Sequence, residues 1–151
     1  MLFMQITIAE IMSKKIETIE EFASVQEGAI KMKDKNISSL IVVDSFGKPK
    51  GVITERDLVR KICIKDVYTS RIKINEIMSL PLVTINPNES LSTAIDMMLQ
   101  HNIRHLLVVD DKMEMNKPIG LVTPRDLSRY TEFTRDDTTK ENLEKILEYY
   151  I

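Results

Sequence analysis

The sequence predicts an α/β fold of the α+β kind. It is built from two pseudo-two-fold-related β-α-β-β-α units, each a small three-stranded sheet with helices on one side, packed sheet to sheet. Three observations predict it. The decapeptide "GVITERDLVR", Gly51–Arg60, returns 69 positions later as "GLVTPRDLSR", Gly120–Arg129. With Ile6 set against Ile72 and a three-residue insertion in "DKMEMN", 24 of 52 aligned positions are identical. Each copy also alternates short β-branched runs with stretches of helical period. A unit of about 55 residues is marginal by itself, so the two copies are expected to bury their open sheet faces on each other.

Each copy opens with a short strand, Ile16–Ile19 and Leu82–Ile85. A helix follows. Ser24 and Glu27 have the S-x-x-E spacing of a capping box, in which each side chain meets the other's backbone N–H. Val25, Ala29 and Met32 keep a helical period, and Leu91, Ala94, Ile95 and Met98 fall at i, i+3, i+4 and i+7 on one buried face. Those methionines read as core filling. "SLIVVD" and "HLLVVD" are short, rich in branched residues, and suit strands covered on both faces. "SFGK" turns the chain into "KGVIT"; the second copy has the longer loop "DKMEMNKP" instead. The next helix starts at Glu55 or at Pro124, where a proline without N–H loses nothing. The organisation is a first repeat over 1–62, a connector over 63–71, a second repeat over 72–130 and a C-terminal helix in 131–151. In that last segment Leu143, Ile146, Leu147 and Tyr150 form a stripe, with Thr138 and Glu141 at capping-box spacing. The stripe suits packing on its own repeat, or a dimer or partner contact.

Composition narrows the function. Of 151 residues, 43% are apolar and 29% charged, as in a soluble globular domain. The net charge of −2 gives no general basic field for nucleic acid. No apolar run approaches the roughly 18 residues of a membrane span, and the start lacks the pattern of a secretion signal, so a cytoplasmic protein is expected. The single cysteine, Cys63, cannot form an internal disulfide and reads as a small core residue. No nucleophile–base pair, P-loop or glycine-rich phosphate loop can be assembled, so no enzyme activity is expected.

Chemistry concentrates in the repeated Thr-x-x-Asp: Thr54 with Asp57, and Thr123 with Asp126. Each Thr ends a strand and each Asp lies in the first turn of a helix. There the pair can cap the helix, or its hydroxyl and carboxylate can receive the hydroxyls of a diol such as ribose. Arg125 precedes Asp126, and Arg104 and His105 precede a buried strand; arginine's planar fork suits phosphate. His101 and His105 are four apart, but Asn102 between them marks a helix end, which speaks against a metal pair.

The stretches "IMSKKIETI…GAIKMKDKNISSLIVVDSFGKPKGVITERDL" and "IMS…VTI…SLSTAIDMMLQHNIRHLLVVD…PIGLVTPRDL" each resemble a CBS domain, the module named after cystathionine β-synthase. The tandem resembles a Bateman module and covers about residues 6–130. The resemblance implies a regulatory module that binds adenosine-containing molecules (AMP, ADP, ATP or S-adenosylmethionine) in clefts between the repeats, with no required cofactor or metal. It implies a homodimer. With no effector domain attached, the chain would signal to an unidentified partner protein; the alternative is an interaction scaffold without a ligand. Carried over residue by residue, one cleft has Thr54 and Asp57 for ribose, Leu82 and Val83 beside adenine, and Arg104, His105 and Arg125 toward phosphate. The other has Thr123 and Asp126 for ribose and Ile16 near the base. At its phosphate positions it has Ser38, Ser39 and Arg56, with Glu17 close by. Counting charges, the first set is expected to bind a nucleotide more tightly.

Overall fold

The computed structural model describes residues 6–112, 117–130 and 137–148. The expected "DKMEMN" loop falls largely outside them, as does Tyr150. The chain forms two compact units, Ile16–Leu82, and Met1–Lys15 with Val83–Ile151.

In the Ile16–Leu82 unit, β1 (Thr18–Glu20) runs parallel to β2 (Ser39–Val43), and β2 runs antiparallel to β3 (Pro49–Thr54), in the order β1-β2-β3. The helix α2 (Val25–Lys35) links β1 to β2. Its capping box forms: the Glu27 N–H donates to Ser24 Oγ at 3.1 Å, and the Ser24 N–H donates to Glu27 Oε2 at 2.6 Å. Beyond β3, the turn α3 (Glu55–Asp57) widens into a π-helical stretch, Leu58–Cys63. Leu40, Val42 and Ile53 pack with Val25, Met32 and Ile62 in one core, while the alternate residues Ile41 and Val52 are buried on the opposite sheet face. A strand buried on both faces reads as a continuous apolar run, as "SLIVV" does.

The second unit repeats this plan. β4 (Thr84–Ile85) is parallel to β5 (Leu106–Val109), which is antiparallel to β6 (Pro118–Val122). The helix α4 (Leu91–His101) buries Leu91, Ala94, Ile95 and Met98, the face expected from their spacing. It stops at Asn102, which holds a left-handed φ of 51°. His105 therefore does not lie one turn along from His101. α5 (Pro124–Ser128) follows β6 with its proline at the helix start.

Three expectations need correction. First, the opening strand of each repeat is shorter than expected. The first strands begin two residues later than expected, and ahead of each lies a leader with its own helical turn: α1 (Ile8–Ile11) and the 3-10 turn Ile74–Glu76. Each leader completes the unit of the other repeat. Ile8 and Ile11 are buried with Leu91, Ile95 and Val122, whereas Ile74 and Ile77 are buried with Ile19, Val25 and Ile53. Matching backbone bonds hold them, Ile8 N–H to Glu89 O and Ile74 N–H to Ala23 O. Second, Cys63 is exposed. At the end of the π-helical stretch its neighbour Ile62 takes the inward position. Third, the C-terminal helix α6 (Asp137–Glu148) begins before Thr138, so Thr138 is inside the helix and cannot be its N-cap. The stripe of α6 packs within its own unit: Leu143 and Ile146 are buried against the core that α4 and α5 share.

The leaders also explain why both decapeptides begin with glycine. A Cβ on Gly51 would lie 3.0 Å from Ser79 O, and one on Gly120 would lie 3.0 Å from Ser13 O and 2.5 Å from Met12 Sδ. Ser79 bridges to Val52 and Ser13 to Leu121, so each leader lies against a strand at its glycine.

Candidate functional site

Sheet topology gathers the sequence-predicted residues at one end of each sheet. The parallel pair begins where the antiparallel third strand finishes. In the Ile16–Leu82 unit this end carries Ile16 and Glu17 before β1, Ser38 and Ser39 at the start of β2, Thr54 at the end of β3, and Arg56 and Asp57 just after it. Ser39 is the register partner of Thr54, and the Glu55 N–H donates to Ser38 O at 3.0 Å. The same end of the other sheet carries Val83, Arg104, His105, Thr123, Arg125 and Asp126. Arg104 and His105 are half-buried, and Arg125 is exposed. Leu82 belongs to the first of these units and Val83 to the second. Glu17 lies 3.8 Å from Lys31 and 3.9 Å from Lys35, so its charge is balanced by α2.

The two Thr-x-x-Asp turns share a framework. In the first, Thr54 donates to Asp57 Oδ2 through its N–H at 3.0 Å and its hydroxyl at 3.1 Å. The Asp57 N–H returns a bond to Thr54 Oγ1 at 3.1 Å. In the second, Thr123 donates to Asp126 Oδ2 through its N–H at 2.9 Å and its hydroxyl at 3.1 Å. An N-terminal carboxylate satisfies helix donors that have no intrahelical partner and suits the positive end of the turn.

They differ at the other carboxylate oxygen. Asp57 Oδ1 accepts from Ser79 Oγ at 2.8 Å and lies 3.1 Å from Lys61 Nζ. Lys61 Nζ also donates to Ile77 O at 2.8 Å, and Asp57 is left only 7% exposed. Among the described residues, Thr123 alone donates to Asp126, which is half-buried. A carboxylate offers about four acceptor sites. Those of Asp57 are filled by its own chain, whereas the Oδ1 side of Asp126 can accept a diol.

Neither Lys61 nor Ser79 was singled out by the sequence reading. One signal was legible: Lys61 stands four after Asp57, the spacing of a helical ion pair, whereas Tyr130 stands four after Asp126. Ser79 carries no such signal, since 22 residues separate it from Asp57.

Comparison with known proteins agrees with this arrangement. The CBS domain family model matches residues 8–64 and again residues 74–132. An uncharacterized protein of Methanopyrus kandleri is 31% identical over 81% of this chain, which spans 61% of that protein's length. CBS domain-containing protein YhcV of Bacillus subtilis is 33% identical over 81% of this chain and 83% of its own. Inosine-5'-monophosphate dehydrogenase of Nitrosopumilus maritimus is 33% identical, but only 24% of it is matched. A putative signal-transduction protein with CBS domains from Burkholderia ambifaria superposes with a TM-score of 0.73 at 28% identity, covering 87% of this chain and 97% of its own. Two family matches, together spanning most of the chain and each containing a three-stranded sheet and a Thr-x-x-Asp turn, mean that this chain belongs to the CBS-domain family as a tandem pair.

Proposed function

We propose that the chain is a regulatory module that binds an adenosine-containing molecule, AMP, ADP, ATP or S-adenosylmethionine, and passes its state of occupancy to a partner protein. The observation that carries this reading is the Thr123–Asp126 turn. One carboxylate oxygen is held by Thr123, and the Oδ1 side is unengaged among the described residues. A ribose 2′,3′-diol has two donors for such an acceptor, and bonds to a charged oxygen are the stronger kind. The guanidinium groups of Arg56, Arg104 and Arg125, with His105, suit phosphates. Ile16, Leu82 and Val83 supply apolar contact for adenine, Ser38 and Ser39 polar contact, and Thr54 with Asp57 the second ribose turn.

The module has no catalytic step in this reading. The match to only 24% of a dehydrogenase supports an accessory, regulatory role for the CBS pair. We assign it to the cytoplasm as a homodimer; no helix among the described residues is long and apolar enough to cross a membrane. The stripe of α6 is used within its own unit, and exposed apolar side chains such as Phe46, Ile64 and Tyr68 are available for association.

A thermal-shift panel of AMP, ADP, ATP, S-adenosylmethionine and NAD tests the reading. A ligand at 100 times its Kd adds about 2.7 kcal/mol to stability. Titration calorimetry should then lose its tight event in Asp126→Ala. A flat panel would favour an interaction scaffold that keeps the fold without a ligand.

A further inference from the structure

The Asp57 turn contains a device that, among the described residues, its duplicate lacks. Four donors converge on its carboxylate: the Thr54 N–H and hydroxyl on Oδ2, and Ser79 Oγ and Lys61 Nζ on Oδ1. A ribose can reach Asp57 only by displacing the Oδ1 pair. The two displaceable donors differ in kind. Ser79 is a neutral hydroxyl that can rotate. Lys61 is an ammonium on a flexible stem, its side chain 42% exposed, so it can swing into water without a burial cost. What it gives up is a charge-assisted bond to a carboxylate whose side chain is 9% exposed, together with its bond to Ile77 O.

We infer that Lys61 is a latch on the Asp57 turn, closing it to neutral ribosides and yielding to phosphate-bearing ones. The inference rests on the adenosine reading above and adds the residue that sets specificity. An uncharged nucleoside must break the Lys61–Asp57 pair and offers the ammonium nothing in return. A nucleotide can accept the released ammonium on its phosphate, which offsets the loss. Selectivity for anionic over neutral adenosine compounds then comes from one lysine. Lys61 lies in the π-helical stretch and also ties it to the leader through Ile77 O. Release therefore loosens the leader Ile77–Ser79 from the π-helical stretch, and irregular turns of this type commonly occur at functional positions.

The test is titration calorimetry with adenosine and with AMP on the full chain. In the unmodified protein, adenosine should show one event, lost in Asp126→Ala. Lys61→Met, which keeps the stem and removes the charge, should add a second adenosine event or tighten it about tenfold or more. Asp57→Ala placed on Lys61→Met should remove that event. The AMP-to-adenosine affinity ratio at the Asp57 turn should fall in Lys61→Met and be kept in Lys61→Arg, a rescue that a purely structural lysine would not give. Ser79→Ala, a milder change, should also favour adenosine at Asp57. Two results overturn the latch: Lys61→Met leaving adenosine binding unchanged or weaker, or Asp57→Ala alone abolishing the adenosine event of the unmodified protein. In the first case adenosine still binds through Asp126 and in the second it binds through Asp57, so in either case the latch fails and the adenosine reading stands. If no adenosine compound binds any variant, both fail together.

Discussion

The two Thr-x-x-Asp turns come from one ancestral sequence, yet one is filled by its own chain and the other, among the described residues, is engaged on one carboxylate oxygen only. The bonds from Thr to Asp Oδ2 differ by no more than 0.1 Å between the copies. The divergence comes from outside the motif: Lys61 stands where the other copy has Tyr130, and Ser79, whose counterpart Ser13 is also a serine, donates to Asp57 from a leader 22 residues away. Counting charges in sequence favours the Asp57 set for an anionic ligand; counting occupied acceptors in the fold favours Asp126. A motif match therefore identifies a turn, and the residues that reach into the turn decide whether it can take a ligand. The helical faces diverge in the same way. α6 covers α4 and α5, while the Ile16–Leu82 unit leaves Ile30, Val59, Ile64 and Tyr68 exposed.

The largest way to break this comparison is to strip the cover from one unit. Leu143 on α6 is fully buried. Leu143→Ala should cost about 2–5 kcal/mol, the lost transfer energy plus the cavity. Ile64→Ala, at an exposed apolar position of the other unit, should stay within about 0.5 kcal/mol. Denaturant melts of the two variants measure both. Equal effects would mean that α6 is dispensable to its unit and that the difference in cover carries no energy.

A smaller effect separates the two leader contacts. The leaders reach their glycines at the same backbone oxygen distance, 3.0 Å, but Met12 crowds Gly120 more closely than Met78 crowds Gly51. Gly120→Ala forces Met12 and the Ser13 backbone to move and should cost about 1–3 kcal/mol. Gly51→Ala displaces Met78 Sδ from 3.0 Å and should cost less. Thermal melts rank them; the reverse order would show that the Met78 leader is the less yielding one.

How much of this was legible beforehand follows from the range of each interaction. The strands, α2 and α4 could be read because period and capping are local: Ser24 and Glu27 are three apart, and Leu91, Ala94, Ile95 and Met98 fall within two turns. The leader exchange could not be read. Ile8, Ile11, Ile74 and Ile77 announce that they are buried, but a one-dimensional pattern does not say in which unit. The α6 stripe likewise specified an apolar partner without choosing between its own unit and another molecule. Cys63 was misread because the widening of the helix after Asp57 leaves no trace in residue type. The candidate residues of each sheet end were all visible as residues, while Ser79 became part of the site only through folding.

The smallest effect probes what the units still share. α2 and α4 both end on an asparagine in the left-handed region, Asn36 at φ 53° and ψ 51°, Asn102 at φ 51° and ψ 49°. In each case the cap N–H donates back to the last turn, at Lys33 O and at Leu99 O. A residue with a Cβ is strained there by roughly 1–2 kcal/mol unless, like Asn, its side chain offsets part of that cost. Asn36→Ala and Asn102→Ala should each lose about 1 kcal/mol, whereas the glycine variants should change stability by no more than about 0.5 kcal/mol, because glycine adopts this conformation freely. Both caps are exposed, so no packing term distinguishes them. The expected result is therefore equality: the same loss in the covered unit and the uncovered one, read from denaturant midpoints at unchanged slope. A loss at Asn102 exceeding that at Asn36 by more than about 1 kcal/mol would show that α6 has coupled the α4 cap to its own packing. The two helices would then have diverged in their framework as well as in what surrounds it.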